Sequence, residues 1–558
     1  MTPVRKIFYV MLLAAFPLAV ASQGLDPASL LKPSTDSWPT YSGDYSSRRF
    51  STLTQINDAN VKNLALAWSS HYPFGAPGRG GPGNIPTIIG GEAKEDIQVG
   101  GLFSSGVVGA ILQVDGILYM SSPDNAWAVD ARTGQVQWHY YWRTRGGTHI
   151  GNRGVGMFHD WLFFETPDDF LVSVDAKSGK ERWHKPIADF DQRYFSTMAP
   201  IVIGDHLLIG TGDDADEPGF LQSLDPETGE LQWKWYTEPE KMGDPGSETW
   251  PNLDAMRHGG GNAWTPGSYD PQLHLYYFGT GNPTPTYAGD TRKGDDLYTC
   301  TIVAINVDTG KLAWYFQVSP HDTHDWDAGN TPVLVDASFG GRPRKLLLDA
   351  SRNGFFFVLD RVTGEHLLTT PLLSSVNWAS INSKGQPIQL PAKVADAGGV
   401  LVSPNSIGVT NWPPPAFNPA TGLLYTPTAE TFSEYYLTDA DPRNQLYGGI
   451  QQQAIGELGS GIAAIDYRTG RTMWQHEYPY QSTGYGGPQG ILTTAGNLVF
   501  AGDAGGGNLI AYNAATGKIL WHSHIGVVSN AAETYALDGQ QYVLVSTSDD
   551  MLYAFKLN

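Results

Sequence analysis

The 558-residue sequence has a single cysteine, Cys300. One cysteine excludes an internal disulfide, a cysteine-rich zinc or iron–sulfur centre, and the Cys-x-x-Cys-His attachment of a c-type haem. Charge is scarce too. Only 16% of residues are Asp, Glu, Lys or Arg, against a usual share of about 25%, which argues against coiled coil and polar disorder. Basic residues are the scarcer sign: 35 Lys and Arg against 56 Asp and Glu leave a formal charge of −21. A protein that neutralises phosphates needs the opposite balance, so nucleic acid is excluded as a partner. The negative surface serves solubility or faces a basic protein. Beyond the N-terminus no stretch reaches the roughly 20 apolar residues of a membrane helix.

The N-terminus reads as a secretory signal, residues 1–21. Arg5 and Lys6 form a basic region, Ile7 to Val20 an apolar one, and Ala19-Val20-Ala21 a small-x-small cleavage site. The expected mature chain, residues 22–558, is then one periplasmic domain with no visible membrane anchor.

Glycine and tryptophan are abundant: 65 and 17 residues, with aromatics at 12%. A repeat accounts for both. Ala128-Val-Asp-Ala-Arg-Thr-Gly-Gln-Val-Gln-Trp138 returns as Ser173 to Trp183, Ser223 to Trp233, Ala304 to Trp314, Ala464 to Trp474 and Ala511 to Trp521. Val358 to Gly364 is a seventh copy without the Trp. Alternating apolar residues predict a strand. Asp or Asn, two residues, then Thr/Ser-Gly predicts a tight turn, the carboxylate accepting turn N–H groups and Gly supplying positive φ. The second strand ends in a Trp that packs on a neighbouring unit. Spacings near 45–50 residues are those of four-stranded propeller blades. Seven copies and a degenerate one predict an all-β, eight-bladed propeller, with the long gaps 225–306 and 360–466 holding an extra blade or large loops.

A propeller carries its site on the axis, built from loops of many blades. His321-Asp322-Thr-His324-Asp325-Trp326-Asp327 is the densest ionisable cluster. Three carboxylates so close need a cation among them, and Asp oxygens suit a hard metal ion. Paired carboxylates for glycoside hydrolysis and a solvated polar turn are the alternatives. Thr211-Gly-Asp-Asp-Ala-Asp-Glu-Pro-Gly219 is a second acidic cluster.

From the opening Trp38-Pro-Thr-Tyr-Ser-Gly-Asp through the Trp repeats to Asp538-Gly-Gln-Gln-Tyr-Val543, the chain resembles the PQQ-dependent alcohol dehydrogenases, such as the methanol and ethanol dehydrogenases. The resemblance implies PQQ and one metal ion as cofactors. It assigns Trp264 to stacking on the quinone, and Asn282, Asp325 and Asp327 to the metal, with Asp214 where the family has a ligating Glu. Asp325 becomes the catalytic base and Arg352 the partner of the reactive quinone oxygens. Arg153, Thr197, Thr211, Gly212 and Asn411 become further cofactor contacts. Asp327 matches an extra carboxylate of lanthanide-dependent members, so a lanthanide is favoured over Ca²⁺. The implied reaction is oxidation of a small-molecule alcohol, with electrons passing to an external acceptor such as a soluble cytochrome c.

The chain departs from the family where adjacent cysteines cover the quinone. Gly147-Thr148 stand there, leaving His149 as one candidate cover, and Val108 replaces a cofactor-contacting Glu. A pocket Trp expected near Pro488 is missing. These losses predict room for a bulkier or secondary alcohol, a sugar or a polyol. A non-catalytic propeller scaffold would lack the Trp264, Asn282, Asp325 and Arg352 set.

Overall fold

The structure is a computed structural model that describes residues 24–32, 35–76, 85–97, 106–148, 150–212, 217–439, 447–478 and 488–558. The expected signal segment and most of the Gly/Pro run between Phe74 and Pro86 lie outside the described residues. The fold is all-β. The one α-helix among the described residues is the five-residue Leu253–Arg257, and none of their helices is long and apolar enough to cross a membrane.

Among the described residues the strands form eight sheets of four or five strands and one two-stranded ribbon. Every repeat turn forms as its sequence dictates. Asp130 Oδ1 accepts the N–H groups of Arg132 and Thr133 at 2.8 and 3.0 Å. The equivalent bonds occur at Asp175, Asp225, Asn306, Asp360, Asp466 and Asn513. The turn glycines 134, 179, 229, 310, 364, 470 and 517 all have φ between 66° and 76°, a region that a Cβ disfavours.

Those glycines have a second use. A Cβ on Gly179 would fall 2.8 Å from the ring of Trp138, and one on Gly310 would fall 2.6 Å from Trp233. Each repeat Trp but Trp521, whose indole donates to the Leu64 carbonyl, therefore lies on the turn of the next sheet. Its indole N–H donates to a backbone carbonyl in that turn: Trp138 to Ala176, Trp233 to Val307, Trp314 to Arg361, Trp474 to Ala514. The copy without a Trp presents Thr370 to the turn at Gly470 instead. Each contact buries a large aromatic surface against its neighbour, and removing such a ring costs roughly 3–5 kcal/mol.

The long gaps hold loops, the two-stranded ribbon Ala379–Ile381 with Pro387–Gln389, and a long hairpin rather than an extra four-stranded sheet. The sheet without a repeat copy joins the ends of the chain: Leu64–His71 pairs antiparallel with Met551–Leu557, from Leu64 opposite Leu557 to His71 opposite Met551.

Residues 25–32 and 35–51 run across the molecule and are fastened to the eight large sheets. Leu25 bridges His159 and Trp38 bridges Gln113. Tyr45 donates its hydroxyl to the Val202 carbonyl and its own carbonyl accepts from Tyr269. Ser46 and Arg48 carbonyls accept from Leu334 and Phe417, and Phe50 pairs with Thr493. The Arg49 guanidinium reaches the carbonyls of Ile491, Tyr41 and Ala532. These partners lie within or beside the first strand of each sheet, such as Leu112–Val114, Ile201–Ile203, Ser268–Asp270, Leu492–Thr494 and Glu533–Leu537. The residues immediately before those strands converge on one cavity.

Candidate active site

That cavity has a volume of about 810 Å³ and is lined from all eight large sheets, through Val108, Arg153, Thr197, Trp264, Asp325, Arg352, Asn411, Gln489 and Ser529 among others. Such a size is typical of a ligand site.

The cluster 321–327 builds one wall. Asp322 is fully buried and its Oδ2 accepts the backbone N–H groups of His324, Asp325 and Trp326 at 3.3, 2.9 and 3.1 Å. This bends the chain and holds Asp325 at φ 69°. His324 stacks on the Trp326 ring at 4.3 Å, and burial pushes its imidazole down to about 3, so it is neutral. His321 points to the Gly294 carbonyl. The cluster thereby divides. Asp322 and the two histidines shape the turn, while Asp325 and Asp327 line the cavity.

Arg352 bridges the two cavity carboxylates. Its Nη2 lies 3.0 Å from Asp325 Oδ2 and its Nη1 3.0 Å from Asp327 Oδ2, while Nε donates to the Ser406 carbonyl at 2.7 Å. Burial disfavours the guanidinium charge, but Asp325 and Asp327 outweigh it and raise the pKa of Arg352. Burial pushes Asp327 up, against the pull of Arg352 and of bonds from the Asn282 N–H and Trp264. The Asn282 N–H donates to Asp327 Oδ1 at 2.7 Å. Asn282, Asp325 and Asp327 thus share one region of the cavity.

The adjoining part of the site is aromatic and cationic. Trp264 is seated over Gly329, where a Cβ would fall 2.5 Å from the ring. The Arg153 guanidinium lies 4.4 Å from the Trp264 ring centroid and 4.9 Å from that of Trp412. Arg153 also donates to the Thr197 carbonyl and hydroxyl. Asn411 is fixed by bonds to the Ile407 carbonyl and the Trp412 N–H.

Eight of the candidate residues therefore line one cavity: Arg153, Thr197, Trp264, Asn282, Asp325, Asp327, Arg352 and Asn411. Thr211 and Gly212 stand behind its wall. Thr211 donates to the Phe195 carbonyl, and Gly212 pairs with Phe195 and packs on Asn262. Asp214 and His149 lie outside the described residues. Sequence reasoning missed Trp412, Tyr287 and Tyr447, which also line the cavity. Trp412 directly follows Asn411, and that adjacency was the available signal.

The lining fits a flat acidic ring system. It offers an indole face, two guanidinium groups and amide donors. The donor set Asn282, Asp325 and Asp327 is all oxygen and suits a hard cation. Among the described residues no three His, Cys, Asp or Glu side chains converge to hold a metal ion, so the set needs Asn282 and a further oxygen donor.

The family model described as the glucose/ethanol/alcohol dehydrogenase beta-propeller domain matches residues 38–372, and that for outer membrane protein assembly factor BamB matches residues 459–558. The chain is 32% identical to quinohemoprotein alcohol dehydrogenase ADH IIB of Pseudomonas putida, over 96% of this chain and 77% of that protein. It is 30% identical to the lanthanide-dependent methanol dehydrogenase of Methylacidiphilum fumariolicum (strain SolV), over 96% and 88%. The solved structure of quinohemoprotein alcohol dehydrogenase from Comamonas testosteroni superposes with a TM-score of 0.82, at 29% identity, covering 97% of this chain and 83% of the other.

Proposed function

The chain belongs to the PQQ-dependent alcohol dehydrogenases, and from that premise we propose how its own residues divide the work. The eight large sheets are eight blades of one propeller, and residues 22–558 form that single domain. Arg153, Thr197, Trp264, Arg352 and Asn411 hold PQQ, with Thr211 and Gly212 supporting the wall. Asn282, Asp325 and Asp327, together with Asp214, hold the metal ion. When bound, PQQ supplies an electron-accepting quinone and the metal a Lewis acid.

Asp325 takes the proton of the alcohol hydroxyl as general base. Asp322 fixes its backbone and Arg352 fixes its carboxylate, so the base is oriented before substrate arrives. Arg352, kept cationic by two carboxylates, stabilises negative charge beside them. Trp264 provides a flat surface and, by donating to Asp327, ties that surface to the metal region. The observation that carries this reading is the Arg352 bridge between Asp325 and Asp327 in a cavity walled by Trp264 and Asn282.

Two carboxylates beside Asn282 favour a trivalent lanthanide over Ca²⁺, as the relation to a lanthanide-dependent methanol dehydrogenase also favours. The substrate is a bulkier or secondary alcohol, sugar or polyol. Electrons leave to an external acceptor such as a soluble cytochrome c, which the negative charge of the chain suits. The site of action is the periplasm.

Reconstitution with PQQ and either Ca²⁺ or La³⁺, followed by dye-linked oxidation over an alcohol panel, tests the assignment. Asp325→Asn is expected to take up PQQ, seen by its absorbance, and to lose turnover by about 10²-fold or more. An Asp325→Asn enzyme that turns over at the wild-type rate would remove Asp325 as the base.

A further inference from the structure

One hairpin departs from the regular pattern of short strands. Its strands Leu423–Leu437 and Ile450–Asp466 have 15 and 17 residues, where the other strands among the described residues have nine or fewer. The neighbouring strand Thr472–Tyr478 follows it only as far as the pair Ser460 and Tyr478. Beyond that pair the hairpin has Val400–Val402 beside it instead, from Val402 opposite Ser433 to Val400 opposite Tyr435, and reaches across to the loop after Asn282.

Its far end is seated there. Gly448, at φ 63°, lies so close to the loop that a Cβ would fall 2.5 Å from Ala288 Cβ and 3.0 Å from Pro285 Cβ. Beside it the Tyr447 ring stacks on Tyr287, centroids 5.5 Å apart and planes 21° apart. Tyr287 is braced on its other side by the edge of Tyr435 at 5.5 Å. The hydroxyls of Tyr287 and Tyr435 both donate to Gln452 Oε1, at 3.3 and 3.0 Å. Tyr287 thus commits its hydroxyl to the hairpin. Burial and the charge of Asp325 raise its pKa, so it stays a neutral donor. Both rings line the cavity that holds Asp325 and Arg352, and Tyr447 remains 39% exposed.

We propose that Tyr287 and Tyr447 form the substrate-recognition wall, and that the substrate is an alcohol bearing an aryl group. The proposal deepens the alcohol-oxidising reading and rests on it. The physical reason is the character of the surface beside the base. It is flat, aromatic and preassembled, and an aryl ring stacks or packs edge-on against such a surface at 4.5–7 Å between centroids. A sugar or polyol needs hydrogen-bonding groups there, and the Tyr287 hydroxyl is already turned to Gln452. Tyr447 and Tyr287 come from elements 160 residues apart, so the hairpin completes the wall.

The test uses the enzyme loaded with PQQ and La³⁺, and compares 2-phenylethanol, ethanol and glycerol. The wild type is expected to prefer 2-phenylethanol. In Tyr447→Ala the ratio of kcat/KM for 2-phenylethanol to that for ethanol falls about tenfold, the worth of one aromatic contact, and the loss lies in KM rather than kcat. Tyr447→Phe restores the ratio, because the ring and not the hydroxyl is used. Gly448→Ala, which displaces the hairpin end, lowers the ratio as Tyr447→Ala does. A second measurement is independent of turnover: calorimetric binding of the non-oxidisable 2-methyl-1-phenylpropan-2-ol, with tert-butanol as control. Tyr447→Ala should weaken the aryl compound about tenfold relative to wild type. An equal fall for ethanol and 2-phenylethanol, a wild-type preference for glycerol, or unchanged aryl binding in Tyr447→Ala would overturn the proposal. Should no alcohol be oxidised at all, the enzymatic reading falls, and the binding measurement still decides the wall.

Discussion

Replacing Arg49 with methionine isolates the fastening of the transverse segment. Arg49 is 1% exposed. Its guanidinium donates to three carbonyls, those of Ile491, Tyr41 and Ala532, at 2.9, 3.1 and 2.7 Å. It lies over the Trp38 ring at 5.0 Å and 3.6 Å from Glu533. A bond from a charged donor is worth roughly 1.5 kcal/mol, so the three come to about 4 kcal/mol. In a chain this long, roughly 1–2 °C of midpoint accompanies each kcal/mol, and Arg49→Met should unfold about 4–8 °C lower by calorimetry.

The loss should also depend on pH. Burial raises Glu533 to about 8, even with Arg49 pulling the other way. The folded protein therefore holds a proton on Glu533, between its ordinary value near 4.5 and about 8, that the unfolded chain releases. Stability from this group falls as pH rises through that window. Without Arg49 the folded-state pKa rises further and the fall continues to higher pH. The gap between wild type and Arg49→Met is thus smaller at pH 6 than at pH 9. A midpoint within 1 °C of wild type, or a gap that narrows with rising pH, would refute this account.

Two further outcomes follow from the geometry. Asp327→Ala should abolish La³⁺-supported oxidation and leave Arg352 bonded to Asp325 alone; full activity with La³⁺ would sink the metal role of Asp327. Gly310→Ala adds a Cβ 2.6 Å from the Trp233 ring at a residue with φ 67°, and should cost about 3 kcal/mol. Gly340→Ala, with a similar φ of 59° and no atom within 4 Å, should cost only about 1–2 kcal/mol. Equal midpoints for the two variants would show that the indole does not rest on the turn.

The turns and the Trp contacts were legible because they are short-range chemistry written in full. Asp130, Thr133 and Gly134 specify their turn within five residues, and the Trp at 138 ends the same unit. The divided role of the 321–327 cluster was half legible. The carboxylates of Asp325 and Asp327 were recognisable, but only the fold shows Asp322 turned inward to hold three N–H groups. The transverse segment was illegible. Tyr45, Ser46, Arg48 and Arg49 each bind a different sheet, through partners that local pattern cannot supply. Tyr447 was hidden likewise, since its stacking on Tyr287 depends on a hairpin that runs past its neighbour Thr472–Tyr478. Thr211 and Gly212 came from resemblance alone, and both stand one layer behind the cavity.

The pairing of Leu64–His71 with Met551–Leu557 sets a condition on when the ring can exist. Leu64 meets Leu557 only after the 492 residues between them have been made. At 5–20 residues per second of synthesis, the strand Leu64–His71 waits roughly 25–100 seconds for its partner. Throughout that wait its edge is open, and Trp68 has no finished sheet to complete. The ring cannot close before residue 557 has been made. Loss of Met551–Leu557 would open the circle rather than shorten one strand.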